Sequence, residues 1–257
     1  MDAILEFDDV TKYFRAARGA SYCAISGLSF AVRRGEFVSV LGPSGCGKST
    51  LLSLAAGLAT PSSGHVRLGG AEVTGPNRQI GFMLQKDLLL PWRTIAGNVA
   101  FGMEARNIPR AERRERARTE LARCGLDAFA DHYPYQLSGG MRQRAALART
   151  LAVDPSLILL DEPFSALDPQ TKSMLQGHFS KTIHDQAISG VLITHDAYEA
   201  VVMSDRVMLM SGRPGTVVDS LDIDLPDRSD PKARRQHGRT QDYVHHLLDR
   251  LQEGALS

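Results

Sequence analysis

The sequence predicts an α/β fold built around a parallel sheet, and three features carry that prediction. Residues 37–41, 80–84, 157–160 and 190–194 are short aliphatic runs of the kind found in strands covered on both faces. The first run passes through a glycine-rich loop straight into a helix-like stretch, residues 51–56, which is the order strand, loop, helix. From Ile95 to about Arg149 the strand signals stop and helical spacing takes over. A chain of 257 residues, 43% of them hydrophobic, has ample material for one large core.

Composition narrows the function classes. A formal charge of +1 gives no reason to expect a nucleic acid or another polyanion as the main partner. Cys23, Cys46 and Cys124 are too scattered for a metal site and too few for a disulfide framework, which suits a reducing cytosol. The acidic start, Met-Asp-Ala-Ile-Leu-Glu, lacks the layout of a signal peptide, and no apolar run is long enough to span a bilayer.

In chain order, residues 4–7 and 27–32 read as strands and residues 33–36 as a turn. Tyr13 and Phe14 precede a polar segment, residues 15–21, and an aromatic there either belongs to the core or stacks on a base. Next comes Gly42-Pro43-Ser44-Gly45-Cys46-Gly47-Lys48-Ser49-Thr50. Glycines at this spacing let several backbone N–H groups point at one anion, and the following helix N-terminus adds its dipole. Lys48 offers a point charge to outer phosphates, and Ser49 a hydroxyl to an accompanying Mg²⁺. These residues form a P-loop, and the chain is expected to bind a nucleotide.

Residues 60–64 read as a loop and residues 65–68 as a strand that turns at Gly69-Gly70. The strand at 80–84 ends at Gln85, the kind of strand end where α/β sheets place ligand-contacting groups. Leu88-Leu89-Leu90-Pro91-Trp92 is an apolar cluster that fits either core or a protein-docking knob. Pro109 opens a helix whose run of arginines is interleaved with glutamates, the pattern of a solvated face with i,i+4 pairs rather than of an RNA-binding surface.

Ser138 is placed as the N-cap of a further helix, and with Gly139 and Gly140 it forms a second helix end suited to an anion. The strand at 157–160 runs into Asp161 and Glu162, whose side chains point different ways and so take different tasks. Asp161 is placed to hold the Mg²⁺ shell and Glu162 to polarise an attacking water. Residues 165–168 read as a turn, and the strand at 190–194 ends at His195, which can donate to a γ-phosphate or orient water. The other seven histidines lie outside any such constellation. Residues 207–210 and 216–218 complete the strands, residues 226–240 read as an extended loop, and residues 241–251 as a terminal helix.

Taken together, these residues resemble the ATP-binding subunit of an ABC transporter over about residues 5–221. Residues 42–50 match Walker A, Gln85 the Q-loop, Leu137 to Gln143 the signature motif, Leu157 to Glu162 Walker B, Asp168 the D-loop, and His195 the switch histidine. The resemblance implies a P-loop NTPase fold with a mainly parallel core sheet, an N-terminal antiparallel β part and a helical subdomain of about residues 88–150. One domain then spans 1–257, with a helical tail at about 241–252. It also implies ATP and Mg²⁺, with Ser49, Gln85 and Asp161 around the metal and Glu162 and His195 as catalytic residues. Phe14 becomes the adenine-stacking ring, with Tyr13 as the alternative.

The family resemblance further implies a dimer with a second copy or a paralogous cassette, in which Ser138, Gly139, Gly140 and Gln143 touch the partner's ATP. The signature ends in Met141 where the family's commonest form has Gln, a change that spares the Ser138 and backbone contacts to phosphate. The implied partners are integral membrane permease subunits and, through them, a solute-binding protein, with the cassette peripheral on the cytoplasmic face and no nucleic acid bound. Gly-Pro-Ser-Gly-Cys-Gly-Lys-Ser-Thr and Asp-Glu-Pro-Phe-Ser-Ala-Leu-Asp are similar to importers of nitrate, sulfonate, taurine and thiamine-precursor pyrimidines. With only a short stretch after the cassette, no regulatory barrel of the sugar-importer kind is expected. The alternatives are a soluble ABC-type ATPase acting on nucleic acid or ribosomes, and a P-loop kinase.

Overall fold

The five residues of β3 (Phe37–Leu41), the five of β7 (Leu157–Asp161) and the six of β8 (Ser189–Thr194) are all buried, because sheet neighbours and both faces are covered. The computed structural model that shows this describes residues 2–15 and 21–255; residues 16–20 of the expected polar segment lie outside the described residues. β3, β7 and β8 form the centre of a six-stranded sheet with β6 (Ile80–Met83), β9 (Arg206–Ser211) and β10 (Thr216–Asp222), in the order β10-β9-β3-β8-β7-β6. All pairings in it are parallel except β9 with β10. The parallel strands therefore end on one side of the sheet, where a ligand crevice is expected.

A second, antiparallel sheet has the order β2-β1-β4-β5, from β1 (Ala3–Arg15), β2 (Ser21–Arg33), β4 (Ser63–Leu68) and β5 (Ala71–Glu72). Helix α1 (Lys48–Ala55) directs Leu51, Leu52 and Leu54 into a core shared by both sheets, which fixes the loop ahead of it. Between β6 and β7 come α2 (Ile95–Glu104), α3 (Arg110–Arg123) and α4 (Gly139–Leu151), joined by two single-turn 3-10 helices. Their apolar faces, including Val99, Leu121 and Leu147, pack into one core with Phe164 and Phe179. Pro109 caps α3, and its charged face carries the Glu112–Arg116 i,i+4 pair. Helices α6 (Ala197–Met203) and α8 (Thr240–Ala255) close a third core against β9.

Several boundaries differ from the sequence reading. β1 and β2 run far beyond residues 4–7 and 27–32, because register shifts and a positive φ at Asp9 break the alternation that marks a strand. Ser63 and Gly64, expected in a loop, belong to β4. The 17-residue α5 (Pro169–Asp185) was not anticipated, although Asp168 as N-cap and Pro169 at its first position are a standard start signal. Residues 226–240 are not simply a loop: α7 (Pro231–Gln236) lies within them, capped by Asp230. The reason is Arg234, which is buried and donates to the carbonyls of Ser204 (2.6 Å), Pro226 (2.6 Å) and Leu225 (3.2 Å). A charge that folds inward onto backbone oxygens looks like a loop charge in sequence.

Candidate functional site

The P-loop owes its shape to close backbone approaches. A Cβ on Gly42 would lie 2.2 Å from the carbonyl oxygen of Met210, so only glycine lets the loop leave β3 along β9. Gly47, the N-cap of α1, has φ 94°, in the left-handed region open to glycine. Lys48 curls back over the loop, its Nζ donating to the carbonyls of Gly42 at 2.7 Å and Pro43 at 2.8 Å. The Cys46 thiol is buried, which pushes its pKa up against the opposing pull of Lys48.

In front of this loop lies a cavity of about 760 Å³ whose walls include Tyr22, Lys48, Gln85, Asp161, Glu162 and Arg213. That volume is in the range that accepts a nucleotide-sized ligand. Asp161, at the end of β7, accepts a hydrogen bond from Ser49 Oγ at 3.0 Å. Burial raises its pKa, the Ser49 bond opposes that rise, neighbouring Glu162 adds to it and Lys48 lowers it. A buried carboxylate in that position gains from a cation, and hydroxyl and carboxylate oxygens are the hard donors Mg²⁺ takes. No cluster of three or more His, Cys, Asp and Glu side chains that could hold a metal occurs among the described residues. An ion here would depend on oxygens from a ligand, as Mg²⁺ usually does with phosphates.

Glu162 continues the β-ladder through its N–H, which donates to Ile193 O at 3.0 Å, yet its φ of 50° turns the chain sharply. That conformation is uncommon for a residue with a side chain and aims the carboxylate into the cavity instead of along the sheet. Its Oε2 accepts from Gln85 Nε2 at 3.2 Å and lies 3.3 Å from His195 Nδ1. Three groups expected from separate strand ends thus meet at one carboxylate oxygen. A base on that oxygen, next to an amide and an imidazole, can take a proton from a water and align it.

The other expected residues are placed as follows. Ser138 caps α4, its Oγ accepting from Met141 N at 3.3 Å, and Ser138 and Gly139 are exposed. Neither they nor Gly140 line the P-loop cavity. Asp168 is exposed and caps α5, with its pKa lowered by the bond from Thr171. Gln143, expected to touch a second molecule's ATP, lies at the base of α4 and is turned into this chain. It is 5% exposed, and its amide is used at both ends, donating to Glu162 O at 3.1 Å and accepting from Ala166 N at 3.1 Å. Gln143 therefore holds the Glu162 turn against α4. Arg142 and Arg149 of the same helix reach Asp87 and Leu88, which fastens the segment after Gln85.

Phe14 is not in the cavity wall. It stands opposite Tyr22 across the β1–β2 pair, with ring centroids 5.6 Å apart, and Tyr22 is the aromatic that lines the cavity. Tyr13 is exposed and pairs with Cys23. The sequence reading missed Tyr22 and also Arg213, whose Nη2 donates to Ser44 O at 3.4 Å. A signal existed for Arg213, since Gly-Arg-Pro-Gly follows the C-terminal end of a strand parallel to β3. Trp92 is 72% exposed, whereas Leu89 of the same cluster is buried, so the cluster divides between surface and core.

Comparison with known proteins agrees with this geometry. The sequence pattern of the family described as ABC transporter matches residues 25–165. An uncharacterized ABC transporter ATP-binding protein of Methanocaldococcus jannaschii is 45% identical over 225 residues, covering 88% of this chain and 84% of that protein. The nitrate import ATP-binding protein NrtD of Synechocystis is 43% identical, covering 90% of this chain and 86% of its own length. The taurine import ATP-binding protein TauB of Yersinia pestis is 45% identical, covering 80% of each. The chain spans 39% of the longer nitrate import protein NrtC of Synechococcus elongatus. Among solved structures, the dimeric cassette MJ0796 bound to ADP and Pi has a TM-score of 0.79 at 31% identity, covering 85% of this chain and 98% of that one. The α/β architecture, the P-loop cavity and these relatives lead to one conclusion: the chain belongs to the ABC transporter family.

Proposed function

We propose that this chain is the ATP-binding and ATP-hydrolysing subunit of an ABC importer, for nitrate, sulfonate, taurine or a thiamine-precursor pyrimidine. The observation that carries the reading is the division of the anion-seeking groups. The P-loop, Gln85, Asp161 and Glu162 share one cavity, while Ser138 and Gly139 lie exposed outside its walls. A helix end left open in this way suits the nucleotide of a second copy or of a paralogous cassette. The nitrate and taurine importer relatives support the cargo class, which rests on likeness alone because no residue of a cassette need touch the cargo.

In this reading the Gly42–Thr50 backbone and Lys48 cradle the phosphates, and Tyr22, backed by Phe14, offers a face to the base. Ser49, Asp161 and Gln85 would hold Mg²⁺, which offsets charge on the outer phosphates. Glu162 Oε2 takes the proton as water attacks the γ-phosphorus, the bond to the bridging oxygen breaks, and ADP and inorganic phosphate result. His195, beside the same oxygen, donates to the γ-phosphate. The helices α2 to α4 act as an inserted subdomain, and Trp92 with exposed Leu88 docks on the permease. No described helix is long and apolar enough to cross a membrane. In this reading the subunit works from the cytoplasmic face through its permease, as the importer relatives suggest.

The test is to tag the full chain, recover it from membranes with ATP present, and identify what accompanies it. A multi-span permease, lost from the Trp92→Ala variant while nucleotide binding persists, is the expected result. Ribosomes or nucleic acid without a permease would establish the soluble ATPase instead. Intact permease recovery with Trp92→Ala would remove Trp92 from the docking surface and leave the transport reading standing.

A further inference from the structure

Behind His195 lies a group of charged side chains that the cavity does not use. α5 begins at its cap Asp168, and Lys172 sits in its first turn, its N–H donating to Asp168 O at 2.8 Å. Lys172 Nζ crosses to the next element, 2.8 Å from Asp196 Oδ2 and 2.9 Å from Glu199 Oε1. Glu199 is 4% exposed and also accepts from Gln176 Nε2 at 2.8 Å. Gln176 is buried and accepts in turn from Arg235 of α7. Asp196, directly after His195, uses its other oxygen to cap α6, accepting from Glu199 N at 3.1 Å.

We propose that Lys172 is a positioning residue for ATP hydrolysis: it ties the first turn of the helix that starts at Asp168 to the loop that carries His195. The proposal rests on the reading of His195 as the γ-phosphate partner. The His195 side chain is 67% exposed and meets Glu162 as its polar neighbour among the described residues, so its place is set through Thr194 and Asp196 on either side. Asp196 N donates to Thr194 Oγ1 at 3.1 Å, and Lys172 holds the Asp196 carboxylate from outside that loop.

An exposed ion pair would contribute little. Here one ammonium faces two carboxylates, one of them buried, and removing it would leave two negative groups together with no cation. Burial works against the Lys172 charge, but its bonds to Asp196 and Glu199 outweigh that and raise its pKa, so the tie persists at neutral pH. The same helix start presents exposed Asp168, on the D-loop expected to face the second cassette. Movement at that junction would reach His195 through Lys172.

The experiment measures steady-state ATP hydrolysis, nucleotide affinity and melting temperature for Lys172→Met, Lys172→Arg, Lys172→Met with Glu199→Gln, and His195→Ala. Misplacing a reacting group by about 1 Å can cost about 10²-fold. Lys172→Met is therefore expected to lose about ten- to a hundredfold in kcat with KM for ATP within about threefold. Lys172→Arg is expected to return kcat to within about threefold, since a guanidinium spans two carboxylates. The double variant should regain the melting temperature lost with the cation, yet stay slow because Asp196 remains untied. The double variant and Lys172→Arg carry the test if Lys172→Met fails to fold.

Wild-type kcat in Lys172→Met, no gain from Arg over Met, or a double variant that recovers both stability and rate would overturn the proposal. His195→Ala hydrolysing at the wild-type rate would remove the reading beneath it as well. A slow His195→Ala beside a fully active Lys172→Met overturns the positioning role alone.

Discussion

Glu162→Gln changes one oxygen to an amide nitrogen at the point where three groups converge. Gln fills the same volume, so the turn at φ 50° and the contacts of Gln85 and His195 keep their geometry, and no cavity opens. What is lost is the ability to accept a proton at Oε2. General-base catalysis contributes about 10²–10⁴-fold, so kcat should fall by that factor, equivalent to about 3–5 kcal/mol of transition-state stabilisation. Nucleotide affinity should hold or improve, because Lys48, Ser49 and Asp161 are untouched and one negative charge leaves the wall facing the phosphates. The assay pairs release of inorganic phosphate under saturating ATP with equilibrium binding of ATP. A variant that hydrolyses ATP within about threefold of wild type would refute Glu162 as the base. A variant that loses both binding and turnover would show instead that the carboxylate shapes the cavity.

Two further outcomes follow from the same cavity. Lys48→Ala removes a charge-assisted contact of about 1.5–3 kcal/mol, so ATP affinity should weaken about ten- to a hundredfold, and unchanged affinity would undermine the phosphate cradle. Tyr22→Ala should weaken ATP binding by about two- to tenfold, the value of an aromatic stack, and more than Phe14→Ala does. Equal or larger loss from Phe14→Ala would return the base-stacking role to Phe14.

The parts of this site that sequence reveals are those bound to local pattern. A glycine-rich loop between an aliphatic strand and a helix, and an acidic pair after four aliphatics, state both their structure and their chemistry within ten residues. Gln85 and His195 were legible as strand ends, but their meeting at Glu162 Oε2 depends on the order β8-β7-β6, which no single stretch encodes. Gln143 is placed at the second cassette's ATP by the family resemblance, whereas its own surroundings, with the amide paired to Glu162 and Ala166, depend on how α4 packs and are not legible in its motif. Tyr22 was hidden for a similar reason: its register opposite Phe14 is set across a bulged strand pair. Arg234 and Lys172 are charged residues whose partners come from distant elements, and composition assigns such residues to solvent. The same holds for α7, whose charged sequence read as loop.

The central claim is that ATP is held between the P-loop of one copy and the Ser138 helix of another. Sedimentation of the Glu162→Gln protein with and without ATP and Mg²⁺ tests it most directly. The account predicts a monomer that becomes a dimer holding two nucleotides, and predicts that adding Ser138→Arg prevents the dimer while each copy still binds ATP. A protein that binds ATP yet stays monomeric, or a dimer indifferent to Ser138→Arg, would contradict it.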